Sequence, residues 1–539
     1  MKITTTSVLF FLTISCPFTL QAQLPYLVKD INVGTSASNP TSLTNVNGTL
    51  FFAANDGVSG YELWKSDGTQ GGTVVLDVIP GSGGINPLRL TAVNGTLFFL
   101  ANDGTTGNEL WKSDGTLGGT VRVKDINPGL PGSNPGELTN VNGTLFFSAS
   151  DPTNGFELWK SDGTSAGTVL VKDINSGATG SYPAILTNVN GTLFFRSDDG
   201  INGGELWKSD GSSAGTVLVK DIYASGGANP FKLTDVNGTL FFIADNVTNG
   251  MELWKSDGTA LGTSMVKDIK TGTGASFTIS PVPYLTNVNG TLFFKADDGT
   301  KGAELWKSDG TSAGTVLVKD INPSGASLPA LLTDVNGTLF FTAADASNGV
   351  ELWKSDGTAG GTVMVKDIWG GGSSTPIELA NVGGTLYFQG GEPVAGYELW
   401  KSDGTNAGTV MVKDIQAGPG NSSPALLTDV NGVLFFQADD GLTGVELWSL
   451  NKTIGVQQFT ENNVLVSIYP NPVTSELTIK ISATTEKQNV EIVNALGQTF
   501  FKTSIFESTA LAVSSFPVGV YFLKSQTDNC ISVHRFVKQ

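Results

Sequence analysis

The sequence predicts an all-β protein: a β-propeller of about nine four-stranded blades closed by its N-terminal strand, then a small C-terminal β-sandwich. The first observation is a repeat. ELWKSDG occurs eight times unchanged and a ninth time as Glu446-Leu447-Trp448-Ser449. Its tryptophans (Trp64, Trp111, Trp159, Trp207, Trp254, Trp306, Trp353, Trp400, Trp448) lie 47, 48, 48, 47, 52, 47, 47 and 48 residues apart. Second, turn signals cut each period into four short strands. Third, Gly makes up 68 of 539 residues and charged residues only 15%, a profile of tight turns and strands.

Taken in chain order, the opening MKITTTSVLFFLTISCPFTLQAQ has a basic Lys2, an apolar run from Val8 to Ile14 and a small residue, Ala22. It is too short to span a bilayer and reads as a cleaved signal peptide over residues 1–22. The residues before Cys16 (Thr13, Ile14, Ser15) lack the usual Leu of a lipobox, which argues against a lipoprotein. Cys530 is then the only cysteine of the mature chain, so its stability must come from packing and not from an internal disulfide.

The repeat unit over Pro135–Ile174 illustrates the four strands, lettered a to d. Strand a, Leu138–Val141, meets Asn142-Gly143, and strand b, Thr144–Ala149, follows; both turn residues tolerate positive φ, as a tight hairpin requires. Strand c is Phe156–Lys160. Ser161-Asp162-Gly163-Thr164 then turns into strand d, Thr168–Ile174. Strand b carries Leu145, Phe146 and Phe147 in succession, so apolar side chains point to both faces and both must be covered, as stacked blades would do. The charges of Lys172 and Asp173 suit strand d to an outer edge, where charge blunts edge-to-edge pairing.

Closure follows from counting. Tyr26–Ile31 (YLVKDI) is a strand d without a blade before it, and the last unit stops after Trp448 without a strand d. Each terminus supplies what the other lacks. The alternatives are an open superhelix, or eight regular blades and one irregular unit.

This repeat, over roughly residues 24–450, resembles the ELWxxDGT repeat family of bacterial surface and secreted proteins, a resemblance that implies no particular activity. After a linker at 451–460, residues 461–539 follow another pattern, strands alternating with Gly/Pro turns. Tyr469-Pro470-Asn471-Pro472, Asn494-Ala495-Leu496-Gly497-Gln498 and the strand opened by Gly519 (GVYFLK) resemble the C-terminal sorting domain of type IX secretion substrates. That resemblance implies a partner, the type IX secretion machinery, and export across the outer membrane of a Bacteroidota-type bacterium. It further implies a tail that is cleaved and a protein that is released or attached to surface lipopolysaccharide.

Composition excludes several chemistries. The net charge of −18 and a total of four arginines (Arg89, Arg122, Arg196, Arg535) argue against a nucleic-acid partner. The only histidine, His534, lies in the tail, so the repeat region can build neither a His-based triad nor a His zinc site. Paired carboxylates remain the one enzymatic route, a glycan hydrolase or lyase. Yet Glu62, Asp67 and their counterparts recur in blade after blade, which favours architecture over an active site. The SDGT turn is similar to the Asp-box of sialidase-like propellers in turn chemistry alone, since Trp64 precedes Ser66, and Arg89, Arg122 and Arg196 fall on strands a, d and b of different blades.

No cofactor is expected. Asn55-Asp56-Gly57, Asp198-Asp199-Gly200, Asp297-Asp298-Gly299 and Asp439-Asp440-Gly441 are oxygen-rich and calcium is the ion to consider, but none matches a spaced D-x-D-x-D-G loop; they read as β-turns. The Asn-Gly-Thr sequons likewise read as hairpin turns, and the ELW tryptophans as packing residues. The d-to-a and b-to-c connections, which share one face of a propeller, carry the candidate binding residues Tyr182, Tyr223, Phe277 and Trp369. The expected function is a secreted or surface-attached, non-catalytic binding or adhesion module for a glycan or protein, with a passive coat protein as the plain alternative.

Overall fold

The computed structural model describes residues 24–278, 283–450, 465–482, 488–494, 498–506, 508–526 and 531–539. The signal-peptide segment, both cysteines and the linker 451–460 lie outside these. Two compact units divide the chain, Met1–Lys452 and Thr453–Gln539. All described secondary structure is β-strand.

The first unit contains nine four-stranded antiparallel sheets. Sheets 1 to 8 span residues 41–76, 88–124, 136–172, 184–220, 231–267, 285–319, 330–366 and 377–413, each with its strands in the order a-b-c-d. Sheet 9 takes a, b and c from 425–450, and its fourth strand is Pro25–Lys29 from the other end of the chain. That strand runs antiparallel to Val445–Leu450, with Leu27 opposite Trp448.

Local chemistry sets each turn. In sheet 3 (Gly136–Val141, Thr144–Asp151, Gly155–Ser161, Val169–Lys172) the a–b hairpin puts Asn142 at φ 49° and Gly143 at φ 85°. The side chain of Asn140 accepts from the Gly143 N–H at 2.9 Å. At the c–d turn the Ser161 and Thr168 hydroxyls meet at 2.7 Å, and the Gly163 N–H donates to Ser161 Oγ at 3.0 Å. Asp162 Oδ1 accepts from the N–H and hydroxyl of Thr164 at 2.8 and 2.7 Å.

Packing between sheets explains the consecutive aromatics. Phe147, fully buried, joins the cluster shared with sheet 2, while Phe146 points the other way into the cluster shared with sheet 4. Nine such clusters serve the nine sheets, and one of them joins sheet 9 and the N-terminal strand to sheet 1 through Val28, Ile31, Leu50, Phe52, Trp64, Phe435 and Leu447. Asn45 of sheet 1 also donates to the Asp429 carbonyl of sheet 9 at 3.3 Å.

Strand d departs from expectation twice. It ends at Lys172, not Ile174, because the Ile174 N–H turns out of the ladder to donate to Glu157 at 3.0 Å. Its lysine is no edge guard either. Lys172 Nζ reaches the next sheet, donating to the Thr216 carbonyl at 2.8 Å and lying 5.8 Å from the centre of the Trp207 ring. Lys29 of the N-terminal strand makes the same clamp on sheet 1, to Thr73 O at 2.8 Å and over Trp64 at 5.4 Å.

The second unit has a three-stranded sheet (Leu465–Tyr469, Glu476–Ser482, Ser508–Ala512) and a four-stranded one (Gln488–Asn494, Thr499–Ile505, Gly519–Gln526, Ile531–Lys538). Leu477 and Ile479 from one and Ile492, Leu523 and Phe536 from the other share a single core.

Candidate functional site

The two ends of the strands differ in kind. At one end lie the a–b and c–d turns, nearly constant from sheet to sheet: VNG in all but Val382-Gly383-Gly384, and SDG in sheets 1 to 8. At the other lie the b–c turns and d-to-a loops, where residues change from unit to unit. Variation over a rigid frame is where recognition is usually found.

A buried carboxylate organises the variable end. The Glu of each ELW motif is fully buried and turned toward the d-to-a loop. Glu109 accepts from the N–H groups of Ile126, Asn127 and Ser133 at 3.1, 3.2 and 2.8 Å and from the Ser133 hydroxyl at 2.6 Å. Glu446 does the same for the chain's first loop, accepting from Ile31, Asn32 and Ser38. These glutamates therefore serve the architecture. Where the hydroxyl is missing the pin weakens: Ile85 and Ala228 stand in for Ser at Glu62 and Glu205, and Glu62 Oε2 is left without a partner.

Burial, with the nearby Asp77 charge adding to it, pushes the Glu62 carboxyl up to about 8; burial takes Glu205 and Glu252 to about 7. Above pH 8 Glu62 is ionised in both folded and unfolded chains, and burying that charge costs stability. Between 8 and its ordinary 4.5 the folded protein holds a proton the unfolded chain releases, so stability falls as pH rises through this window. The protein should melt lower at pH 9 than at pH 6, and Glu62→Gln should narrow the gap by raising the pH 9 melting temperature. An unaltered gap in the variant would contradict this assignment.

The candidate binding residues sit on separate loops. Tyr182, 60% exposed, is in the loop from sheet 3 to sheet 4; its ring stacks on Phe156 at 5.6 Å, and its φ of 50° matches Asn39, Asn86, Asn134 and Asn229 at the same repeat position. Tyr223 and Trp369, both half-buried, share another repeat position, filled elsewhere by Asn32, Asn127, Asn175 and Asn322. Those asparagines tie the loop, as Asn127 does through Gly132 O at 3.0 Å. Tyr223 instead packs on the cluster between sheets 4 and 5, and Trp369 lies against Gly372, which has no room for a Cβ. No ring contact joins Tyr182, Tyr223 and Trp369 among the described residues.

Phe277 must be corrected. It is 2% exposed and packs on Phe294 at 5.7 Å inside the cluster of sheets 5 and 6, so it is core and not a surface contact. Phe277 lacks the positive φ that Asn39 and Tyr182 share at this loop position, and its ring turns into the neighbouring core.

The acidic b–c turns use their own oxygens. Asp199 Oδ1 accepts from the N–H groups of Ile201 and Asn202 at 2.9 and 2.8 Å, and Asp56, Asp298 and Asp440 do likewise. The ELW tryptophans are 4–7% exposed and belong to the core. Of the arginines, Arg122 pairs with Asp103 at 3.3 Å and Asp125 at 3.8 Å, and Arg89 donates to the Pro135 carbonyl at 3.0 Å. Sequence reasoning weighed Arg196 only against Arg89 and Arg122, and it did not single out Lys232 of strand a or Lys295 of strand b. Arg196 and Lys295 stand in strand b where other units carry Ala53, Leu100 or Ile243, and Lys232 stands in strand a where others carry Ser42, Ile185 or Leu331.

In the second unit, Tyr469, Pro470, Asn471 and Pro472 form an exposed turn tied to the last strand, Asn471 Oδ1 accepting from the Val537 N–H at 3.0 Å. Gly519 opens its strand opposite Lys538, and Gly497 lies outside the described residues.

Residues 467–539 match the family described as secretion system C-terminal sorting domain. No curated protein matches the chain. Among solved structures, PorZ of Porphyromonas gingivalis, described as an essential surface component of the type IX secretion system, is 13% identical with a TM-score of 0.36, over 93% of this chain and 75% of that one. A prolyl endopeptidase is 10% identical with a TM-score of 0.38, over 93% of this chain, which spans 55% of the enzyme. A puromycin hydrolase is 11% identical with a TM-score of 0.34, over 77% of this chain, which spans 61% of that protein. Likeness at this level bears on neither ligand nor mechanism. No helix among the described residues is long and apolar enough to cross a membrane. The chain thus ends in a type IX secretion sorting domain, and the protein is exported, either secreted or attached to the cell surface.

Proposed function

We propose that the nine sheets are the blades of one closed propeller, the repeat array of an ELWxxDGT-type protein, and that it is a non-catalytic binding or adhesion module. Residues 23–450 would be the module, 451–460 a linker and 461–539 the export address that meets the secretion machinery. Closure is supported by the N-terminal strand pairing in sheet 9 and by the apolar cluster between sheets 9 and 1.

One observation carries the binding role: the constant turns gather at one end of the blades, while the variable residues gather at the other on loops pinned by buried glutamates. A surface held rigid yet varied from blade to blade suits recognition of an asymmetric partner, glycan or protein. Catalysis has no comparable support, since the buried carboxylates are spent on backbone N–H groups.

The test is binding of the exported protein to a panel of polysaccharides and matrix proteins, with calcium or chelator, alongside Tyr182→Ala and Trp369→Ala. We expect saturable binding without turnover, weakened about tenfold by at least one substitution. Turnover would replace the module with a glycan hydrolase or lyase. No binding under any condition would leave the coat-protein reading.

A further inference from the structure

Most cations of the first unit are committed. The strand-d lysines clamp the next sheet, as Lys124 does at Thr168 O, and the strand-c lysines lie by the constant turns, as Lys65 does at Gly115 O. Among the cations found in single units, Arg122 pairs with Asp103, Lys270 with Asp297 and Lys301 with Asp320, while Arg89 donates to a carbonyl. Three remain without an anionic partner among the described residues: Arg196, Lys232 and Lys295. They fall on three consecutive sheets, 4, 5 and 6, all near the variable end where strand a begins.

Contacts link them into a row. A Cβ on Gly204 would lie 2.7 Å from Asn229 Oδ1 and 3.6 Å from Arg196 Cδ, so the arginine stem runs beside the loop that leads into Lys232. Lys232 Nζ sits 5.9 Å from the centre of the Tyr284 ring. Leu285 pairs with Phe294, which sets Tyr284 across from Lys295 at the strand ends. Lys295 is 7% exposed and has no hydrogen-bond partner among the described residues. Its stem is buried while its ammonium still reaches water, where an anion can meet it. Its pKa is pushed down by burial.

From this row we infer that sheets 4 to 6 hold a site for an acidic saccharide, with Lys295 and Lys232 receiving its carboxylate or sulfate groups beside the Tyr284 ring and Arg196 extending the row. Cations gathered around an aromatic side chain suit a sugar that carries an oxyanion: the charged groups pair the oxyanion, while the half-buried Tyr284 ring holds Lys232 in place. The protein's net charge of −18 works against long-range capture of any polyanion, acidic oligosaccharides included, so binding has to come from this local match.

The inference rests on the binding-module reading, and its test separates the two. Full-length protein is titrated with oligogalacturonate, a sulfated galactan oligosaccharide and a neutral galactan oligosaccharide, and the broader glycan and protein panel is run beside them. Lys295→Met and Lys232→Met keep most of the stem and remove the charge; Lys301→Met, whose lysine pairs with Asp320, is the control. The expected result is saturable, salt-sensitive binding of one acidic probe, weakened roughly tenfold by either substitution and not by the control, all variants melting as the parent does. Which acidic probe binds tells carboxylate from sulfate. Acidic binding indifferent to both substitutions overturns the site. Binding of neutral glycan or protein alone also overturns it while the module reading stands, and binding of nothing in the panel ends both.

Discussion

A variant lacking residues 24–31 should lose about 5 kcal/mol or more of stability and melt roughly 5–10 °C below the parent. The strand Pro25–Lys29 pairs with Leu447–Leu450 along the open side of sheet 9, and Val28 and Ile31 are 3% and 4% exposed. Fully burying such a side chain is worth about 1.5–3 kcal/mol. The deletion also removes the Lys29 clamp on sheet 1 and the Ile31 N–H that Glu446 accepts. Buried groups left unpaired add about 1–3 kcal/mol each. Differential scanning calorimetry on the two proteins decides it: an unchanged melting temperature would mean that the terminal pairing does not hold sheet 9 to sheet 1, and the closed propeller would fall with it.

This pairing was legible in the sequence because it is a matter of complementarity. YLVKDI is a strand d without a blade and the last unit is a blade without strand d, and no knowledge of side-chain packing is needed to match them. The hairpins were legible for a local reason, since Asn142-Gly143 belongs in the left-handed region that the turn uses. What stayed hidden depends on neighbouring sheets. Phe277 was read as a loop residue, but the cluster between sheets 5 and 6 takes it in. Lys172 was read as an edge guard, but its partner is a carbonyl 44 residues along the chain. The row of Arg196, Lys232 and Lys295 arises only once strand register sets three sheets side by side.

Repetition hides the odd unit, and the odd unit carries the information. Eight of nine sheets end strand d in Val-Lys-Asp or its like; sheet 1 has Val74-Val75-Leu76-Asp77, without the lysine that would clamp Trp111. Sheet 1 also has Ile85 where most units place the serine that pins the glutamate, so its junction with sheet 2 lacks two of the polar ties that recur elsewhere. The closed array proposed above would tolerate one weak junction, because its neighbours would hold the two sheets in place. That argument makes the glutamate pins testable against one another.

Alanine at equivalent glutamates should therefore give unequal losses. Glu157 accepts from Ile174 N, Asn175 N and Ser181 Oγ at 3.0, 3.1 and 2.6 Å, and Glu157→Ala would leave all three without it, the first and last of them in a buried place. At about 1–3 kcal/mol for each unpaired group, less the cost of burying the carboxylate itself, a loss of about 3 kcal/mol is expected. Glu62 accepts from Ile85 at 3.1 Å, leaves Oε2 unpartnered and carries the most strongly raised pKa of the set, so Glu62→Ala should cost far less at pH 8. Urea denaturation of both variants at that pH measures the difference, and equal losses would show that the glutamates fill space and do not pin loops. The loop freed by Glu157→Ala carries Tyr182, and a binding surface built on that loop pays an ordering cost once the pin is gone. Ligand affinity should then fall with Glu157→Ala and hold with Glu62→Ala, which ties the constant frame to the variable surface it carries.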